Sequence, residues 1–128
     1  MFNIMLLSDQ ISRKEVCHSD NLELTCPLHS QLSIIDANYG RLSSKACSKG
    51  RPASQVQNTN CKHSVALGAM ETACKGKAQC SVTWATLHPG AHVDPCPGTF
   101  KYATVNYKCI GKLTYIKPSV DSKLQMYR

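Results

Sequence analysis

The sequence predicts a small domain of short strands and one main helix, stapled by disulfides. Three observations lead there. Eight cysteines sit in 128 residues beside only two Phe and one Trp, so cross-links must supply stability that a thin aromatic core cannot. Short runs alternate apolar and polar residues with the period of a half-buried strand. A single stretch, "NCKHSVALGAMETACKG", carries apolar residues at helical spacing. At this length the chain suits one domain.

The strands are read in order. Leu22-Glu23-Leu24-Thr25-Cys26 alternates cleanly, and Leu32-Ser33-Ile34 starts the same way before "DANYG" breaks it with turn residues. Residues 47 to 60, "CSKGRPASQVQNTN", read as a long loop held at its start by Cys47 and tied at its end by Cys61. The helix follows over about 61–75: Asn60 can cap it, Leu67, Met70 and Cys74 share a face, and Gly76 can close it. "CSVTWA" then alternates Cys80, Val82 and Trp84 as a strand, which places Trp84 in the core, and "TLHPGAH" reads as another loop. The last strand sets Ala103, Val105, Tyr107 and Cys109 on one face and Tyr102, Thr104 and Asn106 on the other.

Cysteine spacing decides between metal and disulfide. No C-x-x-C pair occurs, which disfavours a zinc site and favours disulfides in an oxidising compartment, secreted or extracellular. Eight cysteines allow on the order of a hundred pairings, so spacing leaves the connectivity open. Full pairing would leave no thiolate for nucleophilic chemistry. His88, His92 and Asp94 lack a fourth ligand and helical spacing, so no metal or other cofactor is expected.

The charge balance is +7, from 15 Lys and Arg against 8 Asp and Glu. The basic residues are scattered singly, the pattern of a solvated surface and not of a nucleic-acid patch. No stretch approaches the roughly 20 apolar residues of a spanning helix, so membrane insertion is not expected. "MFNIMLL" lacks the basic start and cleavage site of a signal peptide and reads as trimmed or incomplete. Residues 1–14 are therefore expected to be an extension, 15–110 the domain, and 111–128 a tail or linker.

Three stretches carry a family resemblance. Tyr39-Gly40-Arg41 after a strand, Asp94-Pro95-Cys96-Pro97-Gly98-Thr99 before Lys101-Tyr102, and eight cysteines with a helix between the fourth and fifth resemble the rhamnose-binding lectins, the sea urchin egg lectin type of galactose-binding domain. "LELTCP", "SIIDANYGR" and "GRPASQVQNTNC" support it. The resemblance implies an α+β domain of small antiparallel sheets packed with the one helix. It also implies the pairing Cys17–Cys47, Cys26–Cys109, Cys61–Cys96 and Cys74–Cys80.

It further implies a non-enzymatic, calcium-independent site for the cis-diol of terminal rhamnose- or galactose-type sugars. Lys101 would donate to sugar hydroxyls and Asp94 accept from one. The N–H near Gly98 would add a donor, and Tyr39 would cover the apolar sugar face. The chemistry is sound, since a neutral sugar offers only hydroxyls and C–H faces to fixed charges and rings. Implied partners are terminal rhamnose or galactose glycans, on cell-surface glycoproteins or glycolipids, with oligomerisation supplying avidity. Alternatives are an adhesion-receptor module of latrophilin type that binds a protein, and an accessory sugar-binding domain of a larger glycosidase.

Three positions depart from the family pattern. His18 follows the first cysteine where sugar-binding members commonly have Glu. The Cys80–Cys96 segment is a few residues longer. Ala103 replaces a Leu on the core face, a packing change.

Overall fold

A computed structural model describes residues 10–88 and 93–111. Two antiparallel sheets and three helices make up that part. Strand β1 (Ser12–Cys17), β5 (Tyr102–Gly111) and β3 (Ser30–Gly40) form one sheet with β5 in the middle. Strands β2 (Leu22–Thr25) and β4 (Gln79–Val82) form the other. Helices α1 (Ala53–Val56), α2 (Ala66–Cys74) and α3 (Trp84–Leu87) complete the order. The expected α+β architecture is the one observed.

The core lies between the sheets and α2. Leu22 and Leu24 of β2, Val82 of β4, Ala66 and Met70 of α2, and Ala103, Val105 and Tyr107 of β5 form one buried cluster. The other face of β5 meets the segment that follows β3, where Arg41 lies over the Tyr102 ring. Tyr102 is buried there, and its hydroxyl accepts from the N–H groups of Leu42 and Ser43.

All eight cysteines are paired as the resemblance implied: Cys17–Cys47, Cys26–Cys109, Cys61–Cys96 and Cys74–Cys80. Cys26–Cys109 joins the end of β2 to β5, so it crosses from one sheet to the other. Cys74–Cys80 closes the turn from α2 to β4.

Four expectations need correction. The turn residues "DANYG" do not end β3, which runs on to Gly40. A bulge lies between Ile34, opposite Tyr107, and Asp36, opposite Asn106. Ile35 is the extra residue, and it shifts the alternation by one position. Core-facing residues are therefore Leu32 and Ile34 before it, and Ala37 and Tyr39 after it. Had strict alternation continued, Asp36 and Asn38 would have faced the core.

The main helix starts at Ala66, with no side-chain cap, and not near Asn60. Cys61 is occupied elsewhere: its N–H donates to the Arg41 carbonyl and its carbonyl accepts from the Arg41 N–H, an isolated bridge. Residues committed to that bridge cannot also wind a helix. Ala66 stands fully buried on the core face, whereas Leu67 is only half-buried. The long loop contains the single turn α1.

The fourth correction concerns Trp84. Strand β4 ends at Val82, and Trp84 opens α3 with 39% of its surface exposed. It is not a core residue. His92 lies outside the described residues.

Candidate functional site

Each side chain of the candidate site is aimed by an identifiable local device. The loop entering β5 is a turn in which the Thr99 N–H donates to the Cys96 carbonyl at 3.1 Å, with Pro97 and Gly98 at its centre. Gly98 has φ +87°, the conformation for which a Pro-Gly pair is suited. A Cβ added there would meet nothing within 4 Å, so the turn faces open space. Asp94 caps the turn, its Oδ1 accepting from the Cys96 N–H at 2.9 Å.

Lys101 lies beneath that turn with its side chain only 8% exposed, against 46% for Asp94. Its ammonium donates to the Asp94 carboxylate, to the Cys96 carbonyl and to the Thr99 carbonyl, the three hydrogen bonds each 3.1 Å long. An ammonium has three N–H donors, so Lys101 binds its own loop with a full complement. Burial opposes ionisation of Asp94. Against it act the Lys101 hydrogen bond, the Cys96 N–H and the charges of Lys101 and His88, which together hold the carboxyl below its ordinary value.

Tyr39 comes from the end of β3, re-aimed by the Ile35 bulge. Its hydroxyl lies 2.6 Å from Nδ1 of His18, the residue after β1. With the imidazole proton on Nε2, the Tyr39 O–H donates to Nδ1. Burial, and behind it the Asp94 charge, push the Tyr39 phenol up to about 12.

Rings the sequence did not assign to the site gather round this pair. Trp84 lies 5.1 Å from His18 and 6.2 Å from Tyr39, with interplanar angles of 32° and 26°. Phe100 meets His18 edge-on at 6.2 Å. His88 lies 5.9 Å from Tyr39 and hydrogen-bonds His63 at 2.7 Å between ring nitrogens. The sequence signal that could have found Trp84 is Thr83, a strand-ending residue and helix N-cap position placed just before it.

Arg41 supports the site without lining it. It is fully buried and donates to the carbonyls of Phe100, Ser43 and Cys47. Gly40 serves close approach and not an unusual φ: a Cβ there would collide with the Cys61 carbonyl. The five residues expected from the sequence thus fall in two linked groups, Asp94–Gly98–Lys101 on one loop and His18–Tyr39 beside it. Among the described residues no group of three or more His, Cys, Asp or Glu is arranged to hold a metal ion.

The four-disulfide α+β fold, with the Asp94–Lys101 pair on its turn and the ring cluster beside it, has the class of a small lectin-type domain. The chain belongs to the family of the D-galactoside/L-rhamnose binding SUEL lectin domain, whose pattern matches residues 24–109. His18 lies ahead of that segment.

The D-galactoside-specific lectin of Heliocidaris crassispina is 36% identical over 105 residues, 81% of this chain and 96% of that protein. The rhamnose-binding lectin of Silurus asotus is 37% identical over 95 residues, 74% of this chain but 30% of that protein. The adhesion G protein-coupled receptor L1 of Mus musculus is 35% identical over 98 residues, 77% of this chain and 6% of that protein. The chain therefore spans less than a third of some relatives and nearly the whole of another.

Proposed function

We propose that this chain is a non-enzymatic, calcium-independent lectin domain that binds terminal L-rhamnose or D-galactose-type sugars through a cis-diol. The observation that carries the reading is the Asp94–Lys101 pair held on the Cys96 turn beside Tyr39 and His18. Asp94 accepts from one sugar hydroxyl, and the Gly98 N–H donates to another. Lys101 exchanges one of its loop carbonyls for a sugar oxygen, or shares a proton with it. Tyr39, only 4% exposed, backs the site and positions His18 through its hydroxyl. Four disulfides and family membership support a secreted or extracellular setting.

His18 changes the balance of the site. A glutamate at that position is an acceptor; an imidazole whose Nδ1 is taken by Tyr39 offers only the Nε2–H donor. Asp94 is then the main acceptor, and one charged hydrogen bond of about 1.5–3 kcal/mol is forgone, which is roughly ten- to a hundredfold in affinity. Because a single sugar site is weak, agglutination would depend on several sites, by domain repetition, oligomerisation or crowding on a surface. Glycoproteins and glycolipids are the partners proposed, with residues 15–110 as the binding unit.

The test is a chemical-shift titration of the full chain with L-rhamnose and D-galactose. Shifts centred on Tyr39, Gly98 and Lys101 are expected, with weaker binding in Asp94→Asn and stronger binding in His18→Glu. No shifts there at high sugar concentration would sink the reading. The ring panel around His18 and the mouse receptor relative favour one alternative, a protein-binding adhesion module, which that negative result would promote.

A further inference from the structure

We propose that the Cys17–Cys47 bridge is a redox-responsive site: a dithiol reductant opens it while the other three bridges stay closed, and its opening releases His18 without unfolding the domain. Neither part depends on sugar binding.

Three observations single out this bridge. Exposure is the first. Cys17 and Cys47 are both half-buried, whereas each of the other bridges contains a cysteine no more than 6% exposed. Cys109, the remaining half-buried cysteine, packs against the core cluster, and its partner Cys26 is buried in it. A reductant must reach a sulfur atom, so burial protects three bridges and leaves this one accessible.

Backbone conformation is the second. Cys47 has φ +50°, in the left-handed region that a residue with a Cβ occupies only where its surroundings hold it. Two contacts do so, the bond to Cys17 and the hydrogen bond from Arg41 Nη2 to the Cys47 carbonyl at 3.3 Å. Breaking the first lets the backbone relax, which favours the reduced form over that of an unstrained bridge.

Charge is the third. Residues 41–51 carry Arg41, Lys45, Lys49 and Arg51 and no carboxylate, and positive charge stabilises a departing thiolate. One thiolate of the dithiol attacks the Cys17 sulfur. The Cys17–Cys47 bond breaks, its electron pair leaves with Cys47, and a mixed disulfide forms on Cys17. The second thiolate of the reductant then displaces Cys17 and closes the reductant's own disulfide. Two electrons pass to the bridge, and the two protons of the dithiol end, through solvent, on Cys17 and Cys47.

The effect stays local because other contacts hold both ends. Strand β1 keeps its register with β5 from Ser12–Tyr107 to Cys17–Tyr102, and Arg41 still holds the carbonyls of Ser43 and Cys47. His18, one residue beyond that ladder, loses the covalent anchor beside it and keeps its hydrogen bond to the Tyr39 hydroxyl.

The experiment takes the full chain, without denaturant, through a series of reduced-to-oxidised dithiothreitol ratios, quenches with iodoacetamide and locates the labelled cysteines by peptide mass. A two-thiol species labelled at Cys17 and Cys47 is expected at a ratio roughly tenfold below the next opening. Its amide spectrum should keep the signals of β3 and β5 and move that of His18. The double variant Cys17→Ala/Cys47→Ala should show the same spectrum and no labelling at the low ratios.

First labelling at any other pair, or at all eight cysteines together, overturns the proposal. So does a two-thiol species whose β3 and β5 signals collapse, because the bridge then holds the fold and not His18 alone. Labelling of the double variant at the low ratios would assign the step to another bridge and overturn it equally.

Discussion

Asp94 and Tyr39 are the residues whose protonation ties the site to pH. Asp94 has a lowered pKa when folded, so its pairing with Lys101 stabilises fully above the ordinary aspartate value and is lost as pH falls through the lowered one. Tyr39 runs the other way. Its phenol is raised to about 12 from 10.0, so folding is indifferent to it below pH 10 and loses roughly 2–3 kcal/mol between pH 10 and 12. Denaturant unfolding across pH should show that extra alkaline loss in the natural protein and not in Tyr39→Phe. Equal loss in both would place the raised phenol elsewhere. Asp94→Asn should flatten the acid limb of the same profile.

At the scale of the element, β3 shows how a strand is re-aimed. Since Ile35 is the inserted residue, removing it leaves Ile34 opposite Tyr107 and Asp36 opposite Asn106, with Ala37 and Tyr39 still core-facing. Deleting Ala37 instead would reverse every residue that follows. The Ile35 deletion should therefore fold with a modest loss of stability, whereas the Ala37 deletion should lose native near-ultraviolet ellipticity. Similar damage from both would mean that the bulge itself is indispensable.

The same element shows what the sequence could and could not reveal. Alternation in "LELT" and "YATVNYKC" locates β2 and β5, although only β2 has one buried and one exposed face; in β5 Tyr102 and Thr104 are buried as well as Ala103 and Val105. Ile34-Ile35 was the visible trace of the bulge, but Asp, Asn and Gly downstream have the composition of a turn. Long-range pairing with β5 overrode that local preference. Trp84 was misplaced for a related reason: parity with Val82 carries no information about where a strand stops. Asn60 has the chemistry of a helix cap, but Cys61 is held by Arg41, a contact that no local pattern encodes. The site was legible as a list of residues through the family motifs, while the buried, fully bonded state of Lys101 was not.

Across the whole molecule, the four disulfides differ in what they constrain. Cys26–Cys109 spans 83 residues, Cys61–Cys96 35, Cys17–Cys47 30 and Cys74–Cys80 only 6. By chain entropy the longest loop contributes about 4–5 kcal/mol and the shortest about 2. Paired alanine substitutions should reduce the unfolding free energy in that order, and measurement by denaturant titration would expose any native strain as a departure from it. A thin aromatic core makes the domain dependent on these links. Among the described residues, no helix is long and apolar enough to cross a membrane.

Cys61 meets both halves of the site. Its carbonyl accepts from Arg41 N–H and Asn38 Nδ2 at the end of β3, and its sulfur is bonded to Cys96 in the turn that carries Asp94. A molecule with scrambled bridges would keep Tyr39 and Asp94 in the chain but not side by side. On the proposed site, a galactose column would therefore act as a proofreading step in manufacture, retaining correctly oxidised protein from a refolding mixture and letting the mispaired isomers pass.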